Sequence, residues 1–348
     1  MTSLMEEIAQ QPAVLSGLRK FYTSPGAIPS KVLRGMVNRW PPTVVFTGMG
    51  SSMYAAYPAQ AYLNSLGIRA LIWETGELVD HLRKFHGEDI LLVVVSQSGE
   101  TAEVLRLLDA LPRKEGLVAI CNTEASSLAR RASLLLPMMA GRPADVGTKT
   151  YACAVAVLMY LAVAISRKAP QALTQALMQA IEAQEKILEG GDELTLPTVE
   201  YFNNPHYIAL LSRGAELASA YQGALLFKEV AKIGAEPMSA AQFRHGPMEI
   251  IDPSHRYIIF ARQREIGPKR PADAGLFKLA KDICKHGGRV LLYSDQPFAD
   301  TTNVRLVPVE PVRFGLGTLI DSVYIQLLVH ELALRAGLEP GSFRFTMS

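Results

Sequence analysis

Residues 96–101, which read Ser-Gln-Ser-Gly-Glu-Thr, combine side chains that can hold an anion without a positive charge. No Lys or Arg occurs between residues 91 and 105. An apolar run precedes this stretch, and residues 102–111 have helical spacing of apolar side chains, which predicts a buried strand, a tight turn and a helix start. Backbone amides and the helix dipole at such a turn favour a phosphate. The candidate donors are Ser96, Gln97, Ser98 and Thr101. The alternative is a helix cap without a ligand.

Residues 222–252 hold the side chains best suited to acid–base chemistry. Lys228 and Glu229 end a mostly apolar helix, where burial can raise the pKa of a carboxyl group and suit it to general-base work. His245 precedes a Gly-Pro pair and therefore lies in an irregular loop. Together a carboxylate and an imidazole supply a base and an acid near neutral pH. The alternatives are a solvated helix end and a loop histidine without a role, and sequence does not show whether the two groups meet.

Two stretches of the chain repeat one pattern. Residues 43–50 read as a strand that runs into glycines, followed by Ser51, Ser52 and a long helix to about residue 66. Residues 206–214 are again a strand into glycine, followed by a helix to about residue 232. Further predicted strands pair between the halves: 90–95 with 256–261, and 116–121 with 289–293. The pattern predicts an α/β protein with two parallel sheets flanked by helices, and such sheets bind ligands at the carboxyl ends of their strands.

Composition shifts and Pro/Gly positions divide the chain further. The first segment is mainly helical, with breaks at Pro12, Pro25 and Pro29, and a later charged helix carries Gly190-Gly191 and Pro197. The predicted organisation is an N-terminal helical segment (1–38), a first domain that binds phosphate (39–168), a connecting helix and hinge (169–199), a second domain (200–335) and a C-terminal tail (336–348).

Composition excludes several classes of function. The 348 residues carry a net charge of +2, which gives no reason to expect nucleic acid or an anionic membrane as a partner. Three separated cysteines in apolar contexts indicate reduced thiols and a cytoplasmic protein. No cysteine or histidine spacing suggests a metal, so we expect neither a metal nor a cofactor. The start has no signal peptide, and the apolar residues 151–165 predict a buried helix.

Taken together, these motifs resemble the SIS (sugar isomerase) family, over nearly the whole chain. The resemblance is greatest to the isomerase portion of glucosamine-6-phosphate synthase and to SIS-type glucosamine-6-phosphate deaminases. It implies two SIS domains, each a three-layer α/β/α sheet of the flavodoxin-like kind. The motifs that carry it, in family order, are Gly50-Ser51-Ser52, the 96–101 stretch, Val146-Gly-Thr-Lys-Thr150, Gly223-Ala-Leu-Leu-Phe-Lys-Glu229 and His245-Gly-Pro247.

The resemblance also implies roles for single residues. Glu229 matches the base that moves a proton between C1 and C2, and His245 matches the residue that helps open the sugar ring from the neighbouring subunit. A homodimer with a shared active site is therefore implied. Phosphate contacts are implied for Ser52, Ser96, Gln97, Ser98 and Thr101. Other substrate-binding candidates are Gly50, Ser51, Val146, Thr148, Lys149 and Arg344, and Lys228 is a third catalytic candidate. Isomerising a 6-phosphosugar needs no metal where fixed donors hold the substrate.

Three features depart from the synthase pattern. No glutaminase domain and no cysteine at position 1 or 2 precede the SIS pattern, so we expect no ammonia from glutamine. Gln222 and Leu226 stand where the synthase helix carries Glu and Lys. The resemblance implies that the C-terminal tail, residues 336–348, lies near the active site. The tail lacks the synthase-like Pro-Arg-Asn-Leu-Ala-Lys, and Arg344 can offer a cation but not a Schiff-base lysine.

Three functions fit these residues. The first is an isomerase or deaminase of an aminosugar 6-phosphate, which converts glucosamine 6-phosphate to fructose 6-phosphate and ammonia or performs the isomerisation alone. The second is a deglycase or isomerase of another adduct, such as a fructosyl-amino acid 6-phosphate or galactosamine 6-phosphate. The third is a phosphosugar sensor without catalysis, in which Glu229 and His245 would have no task.

Overall fold

The computed structural model describes residues 2–36, 40–85, 90–111, 116–143, 145–202, 205–263, 274–299 and 301–345. The predicted boundary at residues 38 and 39, and the last three residues of the predicted tail, lie outside these ranges. No helix of the described chain is long and apolar enough to cross a membrane. Backbone contacts divide the chain into two compact units. Unit 1 comprises Met1–Gln10, Ala144–Thr148 and Gln179–Ser348, and unit 2 comprises Gln11–Pro143 and Lys149–Met178.

Unit 2 contains a five-stranded parallel sheet, which we call sheet A. Its spatial order is β2-β1-β3-β4-β5. The strands are nearly continuous apolar runs because helices cover both faces of a parallel sheet. The bounds are β1 Thr43–Gly48, β2 Ala70–Glu74, β3 Ile90–Ser96, β4 Leu117–Cys121 and β5 Leu134–Pro137.

Unit 1 contains a second five-stranded parallel sheet, sheet B, with spatial order β10-β9-β8-β6-β7. Read from β7, this order is the one found in sheet A, with every strand number raised by five. It is also the 2-1-3-4-5 order of flavodoxin-like folds. The bounds are β6 Tyr207–Ser212, β7 Ala235–Ser239, β8 His255–Ala261, β9 Arg289–Ser294 and β10 Val304–Pro308.

Thirteen α-helices occur in the described chain. Those that belong wholly or mainly to unit 2 are α1 Ser3–Tyr22, α2 Ser30–Gly35, α3 Ser51–Tyr54, α4 Tyr57–Ser65, α5 Thr75–Phe85, α6 Ala102–Ala110, α7 Ser127–Arg131 and α8 Lys149–Ile165. Those that belong wholly or mainly to unit 1 are α9 Gln171–Tyr201, α10 Leu217–Glu229, α11 Ala240–Phe243, α12 Ala274–Lys285 and α13 Gly317–Arg335. Short 3-10 turns cover Gly214–Glu216 and Pro247–Ile250.

The predicted α/β class with two parallel sheets is confirmed, and the buried helix at residues 151–165 is α8. Two helix predictions were wrong in detail. The helix after β1 is two helices, since Pro58 at the start of α4 has no N–H to continue α3. The break expected at Pro12 does not occur, and α1 continues through this residue. The helix is stabilised beyond Pro12 because Leu15 and Leu18 are fully buried. The break within α9 is at Gly191, whose φ is 43°.

Candidate functional site

Sheet A has its topological switch point between β1 and β3. Chain order reverses there, because β1 is followed on one side by β2 and β3 is followed on the other side by β4. In open α/β sheets, ligands bind in the crevice outside the carboxyl ends of the strands at such a point. The end of β3 and the loops that follow β1 and β3, residues 49–52 and 97–101, contain every phosphate-binding residue predicted from the sequence.

Two serine hydroxyls of the second loop accept hydrogen bonds from the loop itself. The Gly99 amide donates to Ser96 Oγ at 3.0 Å, and the Glu100 amide donates to Ser98 Oγ at 3.2 Å. Because a hydroxyl that accepts a bond keeps its own hydrogen, each of these groups can still donate to a ligand oxygen. Ser96 is buried and Ser98 is half-buried. The loop is therefore held in shape by the same hydroxyls that can bind an anion.

The start of α6 adds further donors. Thr101 is the N-cap residue, with φ −64° and ψ 149°, and its side chain makes no cap hydrogen bond. The first amides of a helix lack intrahelical partners, so they and the Thr101 hydroxyl are suited to an anion. Glu100 is the acidic residue of the loop. Its carboxylate accepts a bond from the Ser127 amide at 2.6 Å, which holds the pKa of Glu100 below its usual range.

Backbone hydrogen bonds from the segment that follows β4 hold the 97–101 loop in place. The Asn122 amide donates to the Gln97 carbonyl at 3.1 Å, and the Leu128 amide donates to the Gly99 carbonyl at 3.2 Å. Gly99 has φ +68°, and a Cβ placed on it would lie 2.3 Å from Ser126 Oγ and 2.9 Å from Cys121 Sγ. Only glycine satisfies both the conformation and the space.

We therefore expect Gly99→Ala to damage the loop. The new methyl group must displace Ser126, so the substitution should cost about 2–4 kcal/mol of folding stability, the sum of a left-handed residue and an overpacked contact. Affinity for inorganic phosphate should fall with it. Gly67→Ala is the matched control, because Gly67 has φ +75° and a Cβ placed on it would meet nothing within 4 Å. Urea unfolding and phosphate titration of both variants check this; equal losses in the two would contradict the packing argument.

The loop after β1 is also shaped by glycine. A Cβ on Gly48 would lie 2.9 Å from the Val95 carbonyl oxygen, so the end of β1 lies directly against β3. Gly50 has φ 49° and ψ −126°, and the short helix α3 begins at the next residue. Ser51 and Ser52, in the first turn of α3, are half-buried. These residues thus reach the same end of sheet A as the 97–101 loop.

In unit 1, Glu229 is the last residue of α10. The helix starts after the carboxyl end of β6 and returns to the start of β7, so Glu229 lies toward the amino ends of the strands of sheet B. Its neighbours Phe227 and Val230 are fully buried. Burial raises the pKa of Glu229 to about 7, and the Lys232 ammonium opposes part of that rise. A carboxyl group with this pKa can take up and release protons at neutral pH.

A cleft of about 490 Å³ opens beside Glu229. One wall is the end of α10 and the turn that follows it, and the other is the C-terminal tail, residues 343–345. Arg344, predicted as a substrate-binding residue, lines the cleft, as does Lys228. Both side chains are exposed. The positive charges that line the cleft in the described chain are those of Lys228, Lys232 and Arg344.

The raised pKa of Glu229 implies a cost to stability at alkaline pH. A group whose pKa is higher in the folded protein than in the unfolded chain stabilises the fold below its usual pKa and loses that contribution as pH rises through the folded value, here about 7. We expect Glu229→Gln to raise the free energy of unfolding by about 2–3 kcal/mol at about pH 8.5, and by much less at about pH 5. Urea unfolding at the two pH values is the measurement. The exposed Glu182→Gln should change stability little at either pH, and an equal gain at both pH values for Glu229→Gln would contradict the prediction.

The remaining site residues predicted from the sequence differ in their exposure to solvent. His245 is exposed, follows α11 and is not among the described residues that line the Glu229 cleft. Val146 belongs to the apolar core of unit 1, which leaves only its backbone for a ligand. Thr148 is fully buried and donates to Glu7 Oε2 at 2.5 Å. Lys149, the first residue of α8, is buried.

The two departures on α10 have clear structural roles. Gln222 is buried and donates from Nε2 to the Gly147 carbonyl at 3.0 Å, while its Oε1 has no hydrogen-bond partner in the described chain. Leu226 is fully buried among apolar neighbours in the core of unit 1. The side chain at 226 is thus committed to packing, and it supplies no polar group to the chemistry.

Comparison with known proteins agrees with the geometry of sheet A. Residues 38–166 match the family model described as SIS domain. This part of the chain is a SIS domain. It contains both loops at the switch point of sheet A, so the predicted phosphate-binding residues all lie within the SIS domain.

Longer matches extend beyond the SIS domain. A glutamine--fructose-6-phosphate aminotransferase [isomerizing] of Photorhabdus laumondii is 30% identical over 258 residues, which is 71% of this chain and 41% of that protein. The chain thus spans less than half the length of this curated relative. Among solved structures, the C-terminal domain of glucosamine-fructose-6-phosphate aminotransferase from Francisella tularensis has a TM-score of 0.85 at 20% identity, with 98% of each chain covered. A glucosamine-6-phosphate deaminase from Thermotoga maritima has a TM-score of 0.71 at 20% identity, with 97% of this chain and 96% of that chain covered. At these identities the two structures show a shared fold.

Sequence reasoning missed Lys232, which lines the Glu229 cleft together with Lys228 and Arg344. Its ammonium donates to the Glu229 carbonyl and to the Ser342 carbonyl, the latter at 2.6 Å. The spacing of three residues from Glu229 was visible, but the left-handed turn at Lys232, with φ 58°, was not. This turn ends α10 and places the Lys232 side chain next to Glu229, the last residue of the helix.

Proposed function

We propose that the protein is a phosphosugar isomerase that acts on an aminosugar 6-phosphate and converts glucosamine 6-phosphate and water to fructose 6-phosphate and ammonia. The observation that carries the proposal is Glu229, a half-buried carboxyl group with a pKa of about 7 in an otherwise cationic cleft. The donor loop of the SIS domain supports it, since a phosphate ester needs a fixed anion-binding site. The names of the relatives supply the class of substrate.

In the proposed reaction, Glu229 acts as the general base. His245 assists ring opening by transferring a proton between the ring oxygen and the C1 hydroxyl. Glu229 then takes the proton from C2, the electron pair forms the C1–C2 double bond, and the C1 carbonyl π bond opens onto its oxygen, which takes up a proton from solvent to give an enolamine. Return of the proton to C1 leaves an imine at C2, to which water adds as ammonia leaves. A base with a pKa near 7 suits both transfers, because it gains and loses its proton with little driving force in either direction.

The exposed position of His245 supports the proposal that it serves the site of a second subunit. In that arrangement the active unit is a homodimer, and neither subunit is complete without the other. The loop at residues 96–101 holds the phosphate through neutral donors, with Ser52 on the neighbouring loop. Lys228 and Arg344 supply the positive charge on the sugar side, while Arg344 cannot form a Schiff base because a guanidinium group stays protonated.

The test is an assay with glucosamine 6-phosphate. The protein is incubated with this substrate alone, and ammonia and fructose 6-phosphate are measured together. Equal amounts of both products support the deaminase. Fructose 6-phosphate with glutamine and without added ammonia should not be converted to glucosamine 6-phosphate. Absence of any product from glucosamine 6-phosphate, at substrate concentrations well above a millimolar, rejects the deaminase.

Leu226 favours one second candidate, an isomerase or deglycase of another 6-phosphosugar adduct. The side chain packs in the core, so the cleft lacks the cation that the synthase helix carries at this position by resemblance. A substrate such as a fructosyl-amino acid 6-phosphate or galactosamine 6-phosphate has its polar groups in positions different from those of glucosamine 6-phosphate. Turnover of one of these compounds, with none of glucosamine 6-phosphate, would select this candidate and keep the isomerase chemistry of Glu229.

A further inference from the structure

Lys232 occupies a backbone conformation that favours glycine. Its φ is 58°, in the left-handed region, where an L side chain is strained and glycine is not. The turn after α10 is closed by the Ile233 amide, which donates to the Phe227 carbonyl at 3.0 Å. Glycine would complete the same turn at lower cost. The side chain of Lys232 is therefore the part that needs an explanation.

That side chain joins two segments which are far apart in sequence. The ammonium donates to the Glu229 carbonyl at the end of α10 and to the Ser342 carbonyl of the tail, at 2.6 Å. It also lies 5.5 Å from the centre of the Phe343 ring, within the range of a cation–π contact. A single charged group thus connects the end of the helix that bears Glu229 with the start of the tail segment, residues 342–345.

The tail segment is a wall of the cleft beside Glu229, to which it contributes Phe343, Arg344 and Phe345. Each of these residues is exposed, and Phe345 is 83% exposed, so little burial of their own holds them in place. A wall with so little buried surface depends on the polar contacts that attach it. Within the described chain, two contacts of this segment, at Ser342 and at Phe343, converge on Lys232.

We propose that Lys232 is a positioning residue that holds the C-terminal tail as the wall of the Glu229 cleft. The expected effect of Lys232 on turnover rests on the proposed function. The attachment of the tail to Lys232 does not, because it is a property of the folded chain. Because the tail carries Arg344, the position of that guanidinium group relative to Glu229 follows from the Lys232 contacts. Lys232 acts through the tail and through its charge, and it is not assigned a step of its own in the reaction.

The charge of Lys232 gives a second consequence. Among the described residues, the charged groups that line the cleft with Glu229 are Lys228, Lys232 and Arg344. The Lys232 ammonium lowers the pKa of Glu229 against the effect of burial. Removing the ammonium should therefore raise the pKa of Glu229.

The test uses the full chain and the variant Lys232→Gly. Glycine suits the left-handed turn, so the variant should fold with equal or higher stability while it loses the tether. Trypsin cleaves after Arg344, and release of the peptide 345–348 is followed by mass spectrometry. Because cleavage follows the open population of a segment, we expect release to be about tenfold faster in Lys232→Gly. Arg167→Gly is the matched control, since Arg167 is also a cation at a left-handed position, φ 59°, and lies in the other unit.

A second readout separates positioning from a purely structural role. On the substrate found for the protein, Lys232→Gly should raise KM several-fold and move the acidic limb of the pH profile for kcat to higher pH, while Arg167→Gly should change neither. Phe343→Ala, which removes the ring beside the ammonium, should release the 345–348 peptide faster than wild type while it keeps the charge of Lys232.

The outcomes of these two readouts are distinguishable. Unchanged release of the 345–348 peptide in Lys232→Gly overturns the tether, whatever the protein catalyses. Faster release with an unchanged pH profile and KM overturns the positioning role. If no phosphosugar is turned over, the proposed function fails, and the proteolysis result still decides whether Lys232 holds the tail.

Discussion

Replacing Glu229 by glutamine should lower kcat for the phosphosugar reaction by roughly 10²–10⁴-fold, the range expected for loss of a general base. The amide keeps the shape and the hydrogen-bonding capacity of the side chain, but it cannot take a proton from C2. KM should change little, because in the proposed mechanism the phosphate is held by the loop at residues 96–101 and not by this residue. Steady-state kinetics of the purified variant give both values.

The pH profile of the wild-type protein belongs to the same prediction. Glu229 must be ionised to act as a base, so kcat should rise with pH and reach half its plateau near pH 7, where the pKa lies. The exposed Glu182→Gln in the same unit should retain full activity. Substantial activity in Glu229→Gln, with the rising limb still present, would remove Glu229 from the reaction and leave the ionising group to be found elsewhere.

The largest loss of stability is expected for Asp321→Asn. In sheet B the switch point lies between β6 and β8, and Arg262 is the residue that follows β8. Its guanidinium group binds Asp321 Oδ1 and also donates to the Glu310 and Gly317 carbonyls at 3.0 and 3.2 Å. Asp321 and Arg262 are both buried. Removing the negative charge leaves a buried cation without a counter-charge, which should cost about 3–5 kcal/mol.

Urea unfolding checks this prediction against two controls. Asp282→Asn breaks the Arg244–Asp282 pair of the same unit, which has an N–O distance of 3.0 Å and side chains about 30% exposed, so it should cost less than about 1 kcal/mol. The double variant Arg262→Met with Asp321→Leu replaces both charges by apolar groups and should recover most of the loss. A cost for Asp321→Asn no larger than for Asp282→Asn would show that the buried pair is not needed for the fold.

Central strands could be predicted from the sequence, and edge strands could not. β1, β3, β4, β6, β8 and β9 are buried apolar runs, and their predicted bounds agree with the structure to within about two residues. The remaining four strands, β2, β5, β7 and β10, lie at the edges of the sheets and are only partly buried. β7 even contains Pro237, which edge positions tolerate because a strand there leaves one row of amides unpaired.

Parts of the candidate site could be predicted from the sequence, and one part could not. The donor loop was predictable because its chemistry is local: hydroxyls, a glycine and a helix start occur within six residues. The raised pKa of Glu229 was anticipated from the apolar helix that it ends, and burial is the cause found in the structure. Lys232 was missed because its partner, the Ser342 carbonyl, is 110 residues away in the chain. No spacing rule relates positions at that distance.

What the sequence determined by itself is therefore the set of local units: the apolar strands, the helix starts, the neutral donor loop of the SIS domain and a carboxyl group at the end of an apolar helix. These depend on neighbours within one or two turns of the chain. Only the tertiary structure decided how two sheets with one strand order are used differently. At the switch point of sheet A the loop presents hydroxyls, whereas at that of sheet B Arg262 is neutralised by Asp321. Burial and charge pairing, which arise between distant residues, make that difference.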